Sequence, residues 1–115
     1  MSGTLSVDFG VNVPGEVVSV VIGTTDATAY LLRKKITVFA AGSVPTNGRC
    51  IAPSSYASGA ALTVCNRSAN ALTLSVGSND IESYGSIVAV APGGNATITS
   101  FDPPAAPAPR TWWLT

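Results

Sequence analysis

Hydrophobic and polar positions alternate along much of this chain with a period of two. Leu5, Val7, Phe9, Val11 and Val13 are interleaved with Ser6, Asp8, Gly10 and Asn12, the spacing of a strand with one covered face. Pro14 and Gly15 close that stretch with a turn signal. Residues 17–22, Val-Val-Ser-Val-Val-Ile, form a nearly continuous β-branched run, which predicts a strand covered on both faces. Residues 24–28 are polar and read as a loop. Tyr30, Leu31 and Leu32, followed by Ile36, Thr37, Val38 and Phe39, predict one long strand or two, with Arg33, Lys34 and Lys35 between them. The β-branched and aromatic residues there disfavour a helix over residues 27–40.

The pattern is lost from residue 41 to residue 58. Val44, Pro45, Thr46, Asn47 and Gly48 signal a turn, Arg49, Cys50 and Ile51 a short edge strand, and residues 53–59 a second loop. Alternation returns with Leu62 and Val64, then with Leu72, Leu74 and Val76. The five residues between them, Asn66, Arg67, Ser68, Ala69 and Asn70, suit a hairpin connection. Residues 77–85 read as a polar loop. Residues 87–90 and 96–101 predict two more strands, joined by Ala91, Pro92, Gly93, Gly94 and Asn95, the strongest hairpin signal in the chain. The expected fold is all-β: a single jelly-roll or Greek-key sandwich or barrel of about eight short antiparallel strands. Residues 1–102 form its body, and residues 103–115 form a Pro-rich arm and a terminal Trp-containing strand within the same domain.

A length of 115 residues fits one domain and a core that needs no metal or disulfide staple. Hydrophobic residues reach 46% and charged residues only 10%, which argues against disorder and predicts a surface of Ser, Thr, Asn and Ala, part of it covered by neighbours. The six basic and six acidic residues balance, so phosphate neutralisation gives no grip on nucleic acid. The basic cluster at Arg33, Lys34 and Lys35 reads as a solvated strand or turn. The first residues lack the basic and apolar regions of a signal peptide. No run reaches the length of a membrane-spanning helix. The chain is expected to be soluble, made in a cytosol and free of membrane. The sequons at Asn66 and Asn95 are accordingly read as turns.

Catalytic chemistry is sparse. With no histidine, the commonest general base and most metal sites are missing, and no catalytic, cofactor-binding or metal-binding residues are assigned. Cys50 and Cys65 are expected as free thiols rather than as a disulfide, which would close a short loop and stabilise by about 3 kcal/mol. Asp80 and Glu82 are spaced so that a strand would point both carboxylates the same way, as a glycosidase pair or a calcium ligand would need; a solvated loop is the simpler reading. Tyr30, Tyr56, Tyr84, Trp112 and Trp113 would form a sugar-stacking platform if exposed together.

The end of the chain is built differently. Residues 103–109, Pro-Pro-Ala-Ala-Pro-Ala-Pro, cannot pair as a central strand, because proline lacks the N–H donor. As polyproline II they would span roughly 20 Å, enough to cross the end of a sandwich or to reach a neighbouring subunit. Adjacent residues of a strand face opposite sides, so at most one of Trp112 and Trp113 enters its own sheet's core. The interface candidates are therefore Trp112, Trp113 and Leu114, with Pro103, Pro104, Pro107 and Pro109 of the arm.

Read in order, Leu62-Thr63-Val64-Cys65-Asn66-Arg67-Ser68-Ala69-Asn70-Ala71-Leu72-Thr73-Leu74, then Asp80-Ile81, Ala91-Pro92-Gly93-Gly94 and Thr111-Trp112-Trp113-Leu114, the second half resembles small β-rich virion proteins of tailed bacteriophages. These include capsid decoration (cement) proteins and head or tail fibre modules. The resemblance implies a jelly-roll-like, often trimeric domain on the outer capsid surface of the virion, with the major capsid protein as partner, no cofactor and no catalysis. The competing class is a carbohydrate- or receptor-binding module of a head or tail fibre. A small hydrolase using Asp80 and Glu82 is a distant third.

Overall fold

The computed structural model describes residues 15–53, 59–101 and 111–115. Its ten strands are β1 (Gly15–Val18), β2 (Tyr30–Leu31), β3 (Ile36–Phe39), β4 (Arg49–Ile51), β5 (Ala61–Asn66), β6 (Leu72–Ser75), β7 (Asp80–Ile81), β8 (Ile87–Val90), β9 (Asn95–Phe101) and β10 (Thr111–Leu114). They form a six-stranded sheet in the order β1-β3-β5-β9-β10-β7 and a four-stranded sheet in the order β2-β4-β6-β8. Among the described residues there is no helix. The all-β expectation holds, with ten strands in place of about eight. The Leu5 to Val13 alternation and the arm prolines lie outside the described residues.

From β1 to β9 each strand lies in the opposite sheet from its predecessor; only the β9–β10 connection stays within one sheet. Two successive crossings restore the original direction, so β1, β3 and β5 run parallel, as do β2, β4 and β6. A tight turn after β7, where Gly85 bridges back to Ile81, reverses the chain. β8 then enters antiparallel to β6, and β9 antiparallel to β5. The expected antiparallel architecture is thereby corrected: of the eight strand pairs among the described residues, five are parallel and three antiparallel.

The same winding corrects both expected hairpins. Residues 67–71 and 91–94 do turn the chain, but each carries it from one sheet to the other. Gly93 supplies the left-handed conformation the second turn needs (φ 77°), and the Gly94 N–H donates to Ala91 O at 2.8 Å. β4 is an inner strand, not an edge, because β2 and β6 flank it. The stretch from Tyr30 to Phe39 is two strands in different sheets. The run at residues 17–22 is not covered on both faces: β1 is an edge strand, and Val17, Val20 and Val21 are exposed.

Alternation places one side chain in two between the sheets. Phe39, Leu62, Val64, Ile98 and Trp112 from the larger sheet meet Cys50, Leu72, Leu74 and Val90 from the smaller in one core. At one end of this core Asn66, wholly buried at the end of β5, ties three crossings together. Its side-chain Nδ2 donates to Asn70 O at 2.8 Å and Val90 O at 3.0 Å, while Oδ1 accepts the Ser68 N–H at 3.0 Å. Asn70 in turn donates through Nδ2 to Val44 O at 2.9 Å. An amide suits this position because the backbone there offers both orphan acceptors and an orphan donor. Burial leaves the first sequon no room for a glycan.

At the β1 edge Glu16 points inward. Tyr30 Oη donates to its carboxylate at 2.6 Å, and the Tyr30 ring meets Phe39 edge-on at 5.7 Å. Burial, then the neighbouring Glu16, pushes the Tyr30 hydroxyl above its usual range. The Arg33 guanidinium closes the cluster over the Tyr30 ring. An inward carboxylate on an edge strand discourages a further strand from pairing there.

Cys50 and Cys65 are both free. They sit on different sheets, Cys50 in the core and Cys65 partly exposed on the outer face of β5. Burial pushes the Cys50 thiol far up, which withholds the reactive thiolate. Maleimide is expected to modify one thiol per folded chain, at Cys65, and two after denaturation. Mass spectrometry of peptides reads this directly, and fast native labelling of Cys50 would contradict the core described here.

Candidate functional site

β10 holds the two tryptophans on opposite faces, as its parity requires. It lies between β9 and β7, with Trp112 in register with Ser100 on one side and Ile81 on the other. Trp112 is completely buried in its own chain's core, whereas Trp113 is 49% exposed. Leu114 is half-buried and packs against the core. Of the three terminal candidates, Trp113 is the one displayed. Pro103, Pro104, Pro107 and Pro109 lie outside the described residues, but both ends of their segment are placed: Phe101 and Thr111 are direct cross-strand partners. β10 therefore docks beside β9 of the same chain rather than at a distance.

Trp113 belongs to the outer face of the six-stranded sheet. Its ring meets Phe101 edge-on, centroids 5.8 Å apart at 77°, as diagonal neighbours across the β9–β10 pair. Across the sheet, successive cross-strand rows read Ala61, Thr99, Trp113; then Ile36, Thr63, Thr97; then Val17, Val38, Cys65. Thr63 and Thr97 share a hydroxyl hydrogen bond at 2.9 Å, which ties two of the polar groups to each other instead of to water. None of the outward residues of β1, β3, β5, β9 and β10 carries a charge; the first is Asp80, on β7. Val17, Ile36, Phe101 and Trp113 are the large apolar groups left open on it. Sheets with parallel pairs are normally covered on both faces, and among the described residues this sheet is covered on its inner face only.

The other expected groups do not gather there. Tyr30 is turned inward against Phe39, Tyr84 is exposed on the turn after β7, and Tyr56 lies outside the described residues. Three strands separate β1, beside Tyr30, from β10, so Tyr30 and Trp113 do not share a platform. Asp80 and Glu82 do flank a buried Ile81 on the solvent side. Among the described residues no three His, Cys, Asp or Glu side chains converge as metal ligands. Parity required that one of the two tryptophans face outward, and the structure shows that it is Trp113. Phe101, Val17 and Ile36 were missed, since their place on this face depends on which strands adjoin. No family model matches the chain, and no curated protein matches it.

Proposed function

We propose that this chain is a non-enzymatic structural module that docks on a protein surface through the outer face of its six-stranded sheet. The observation that carries the reading is the uncharged outer face of β1, β3, β5, β9 and β10, with the Phe101–Trp113 pair displayed on it. An apolar, aromatic-bearing surface depleted of charge is the composition of an interface centre. Joined to the resemblance in the second half of the sequence, this makes it a decoration protein of a tailed-phage particle, bound to the outer capsid as a homotrimer that clamps adjacent capsomers.

The test is binding of purified chain to capsids stripped of it, with localisation in the particle by electron microscopy. Occupancy at capsid three-fold positions, lost by at least tenfold in Trp113→Ser with an unchanged melting temperature, is expected. Localisation to the tail tip would overturn the assignment, as would glycan-array binding abolished by the same variant, which is the signature of a fibre module. Wild-type occupancy in Trp113→Ser would remove the face from the argument.

A further inference from the structure

The turn that leads into β4 carries the chain's one Asn–Gly pair, Asn47 and Gly48. Both residue types are forced by the turn. Gly48 N–H donates to Pro45 O at 2.8 Å, closing a four-residue turn from Pro45 to Gly48, and Asn47 at its third place takes a φ of 64°. Apart from glycine, Asn is among the few residues that enter this left-handed region at small cost. Gly48 is buried, and a Cβ there would stand 2.7 Å from Val44 Cγ1 and 2.8 Å from Pro45 Cδ, so only glycine fits. The fold thereby sets a side-chain amide, at an exposed position, next to a peptide nitrogen that no Cβ shields.

Those two groups can react with each other. The Gly48 nitrogen, its proton lost to hydroxide, attacks Asn47 Cγ; the Cγ–Nδ2 bond breaks, and ammonia leaves with a proton taken from water. Water then opens the five-membered succinimide at either carbonyl. One opening leaves an aspartate, the other an isoaspartate whose main chain runs through Cβ. The sum is amide plus water giving carboxylate and ammonium, with no redox change.

The folded turn withholds both requirements. While Gly48 N–H is held on Pro45 O it keeps its proton. Turns with positive φ at this place hold ψ at about 0°, whereas ring closure brings the Gly48 nitrogen round to eclipse Asn47 Cβ. That rotation breaks the turn and, with it, the anchors of β4: Gly48 O accepts from Thr73 N–H and Arg49 N–H donates to Gly23 O, both at 2.9 Å.

We propose that Asn47 is a self-modification site, deamidated through Gly48 when the turn opens and protected while it is closed. The isoaspartyl product lengthens the main chain by one atom just ahead of β4. Gly48 then cannot regain Pro45 and Thr73 together, and Cys50 loses its seat in the core. A passing opening is recorded as a permanent one. The inference stands apart from the docking reading, which concerns the other sheet.

The test incubates the full chain at pH 8, in native buffer and in urea sufficient to unfold it, and follows every Asn by peptide mass spectrometry. Conversion is expected first at Asn47, and at least tenfold faster in urea, because in the folded chain it passes only through the open turn. Conversion in urea at any other Asn ahead of Asn47 would overturn the site, and equal rates in the two solvents would overturn the gate. Isoaspartyl chains returned to native buffer are expected to alkylate at Cys50 as well as Cys65. Asn47→Asp, which adds the same charge without lengthening the main chain, is expected to alkylate at Cys65 alone. Protection of Cys50 in the isoaspartyl chain would overturn the consequence for β4.

Discussion

Trp112→Ala is expected to lower the melting temperature of the isolated chain by roughly 15 °C, while Trp113→Ala moves it by no more than a few degrees. The two residues are adjacent, yet one is wholly buried and the other half open. Truncating a buried Trp costs about 3–5 kcal/mol, against a total stability of about 5–15 kcal/mol. In a chain of this size each kcal/mol corresponds to roughly 4 °C. The cost falls on the monomer, because Trp112 fills its own core between Ser100 and Ile81. Deleting residues 111–115 is expected to do more, since it strips β9 and β7 of their shared partner. Circular dichroism melts at two protein concentrations check both variants. A deletion that dissolves an oligomer while the monomer melts unchanged would place β10 on a neighbour instead.

Asn66→Asp is expected to destabilise the fold by about 3 kcal/mol at neutral pH and to recover part of that loss on acidification. The Asn66 amide N–H groups donate to Asn70 O and Val90 O. A carboxylate cannot donate, and it would face those carbonyl oxygens as a buried, charged acceptor. Burial and lost hydrogen bonds disfavour its ionised form, so its folded pKa would stand above the ordinary aspartate value of about 3.9. A group raised in the folded state binds its proton more tightly there. Its contribution is fully present below the unfolded pKa and is lost as pH rises through the folded one. Urea midpoints at pH 4 and pH 7, each referred to the unaltered chain, read this out. Asn66→Ala is the control: it loses the same bonds without the acid recovery. Both variants as stable as the unaltered chain at pH 7 would mean the three crossings are held by their turns alone.

Strand positions were legible because burial enforces period two. Leu62 and Val64, Leu72, Leu74 and Val76 all face the core as their alternation foretold. Pairing was not. A turn rich in Gly, Pro and Asn reports that the chain bends, and the bend at residues 91–94 serves a crossing between sheets as readily as a hairpin. The difference is a rotation of the chain about its own axis, which leaves no mark on residue type. The run at residues 17–22 misled for a related reason: β-branched residues fit any pleated position, and whether a face is covered depends on neighbouring strands distant in sequence. For the candidate site, the tryptophan parity was readable from two letters. Its partner Phe101 was not, because that contact needs the knowledge that Phe101 and Thr111 are cross-strand partners.

The placement of β10 between β9 and β7 also orders events in time. β7 emerges from the ribosome about thirty residues before β10, its strand partner in the larger sheet, so at about 5–20 residues per second it waits a few seconds for it. By then β1 to β6 have all emerged. Between the emergence of β9 and that of β10 the β9 edge has no partner on that side, and such an edge is prone to pairing with another chain.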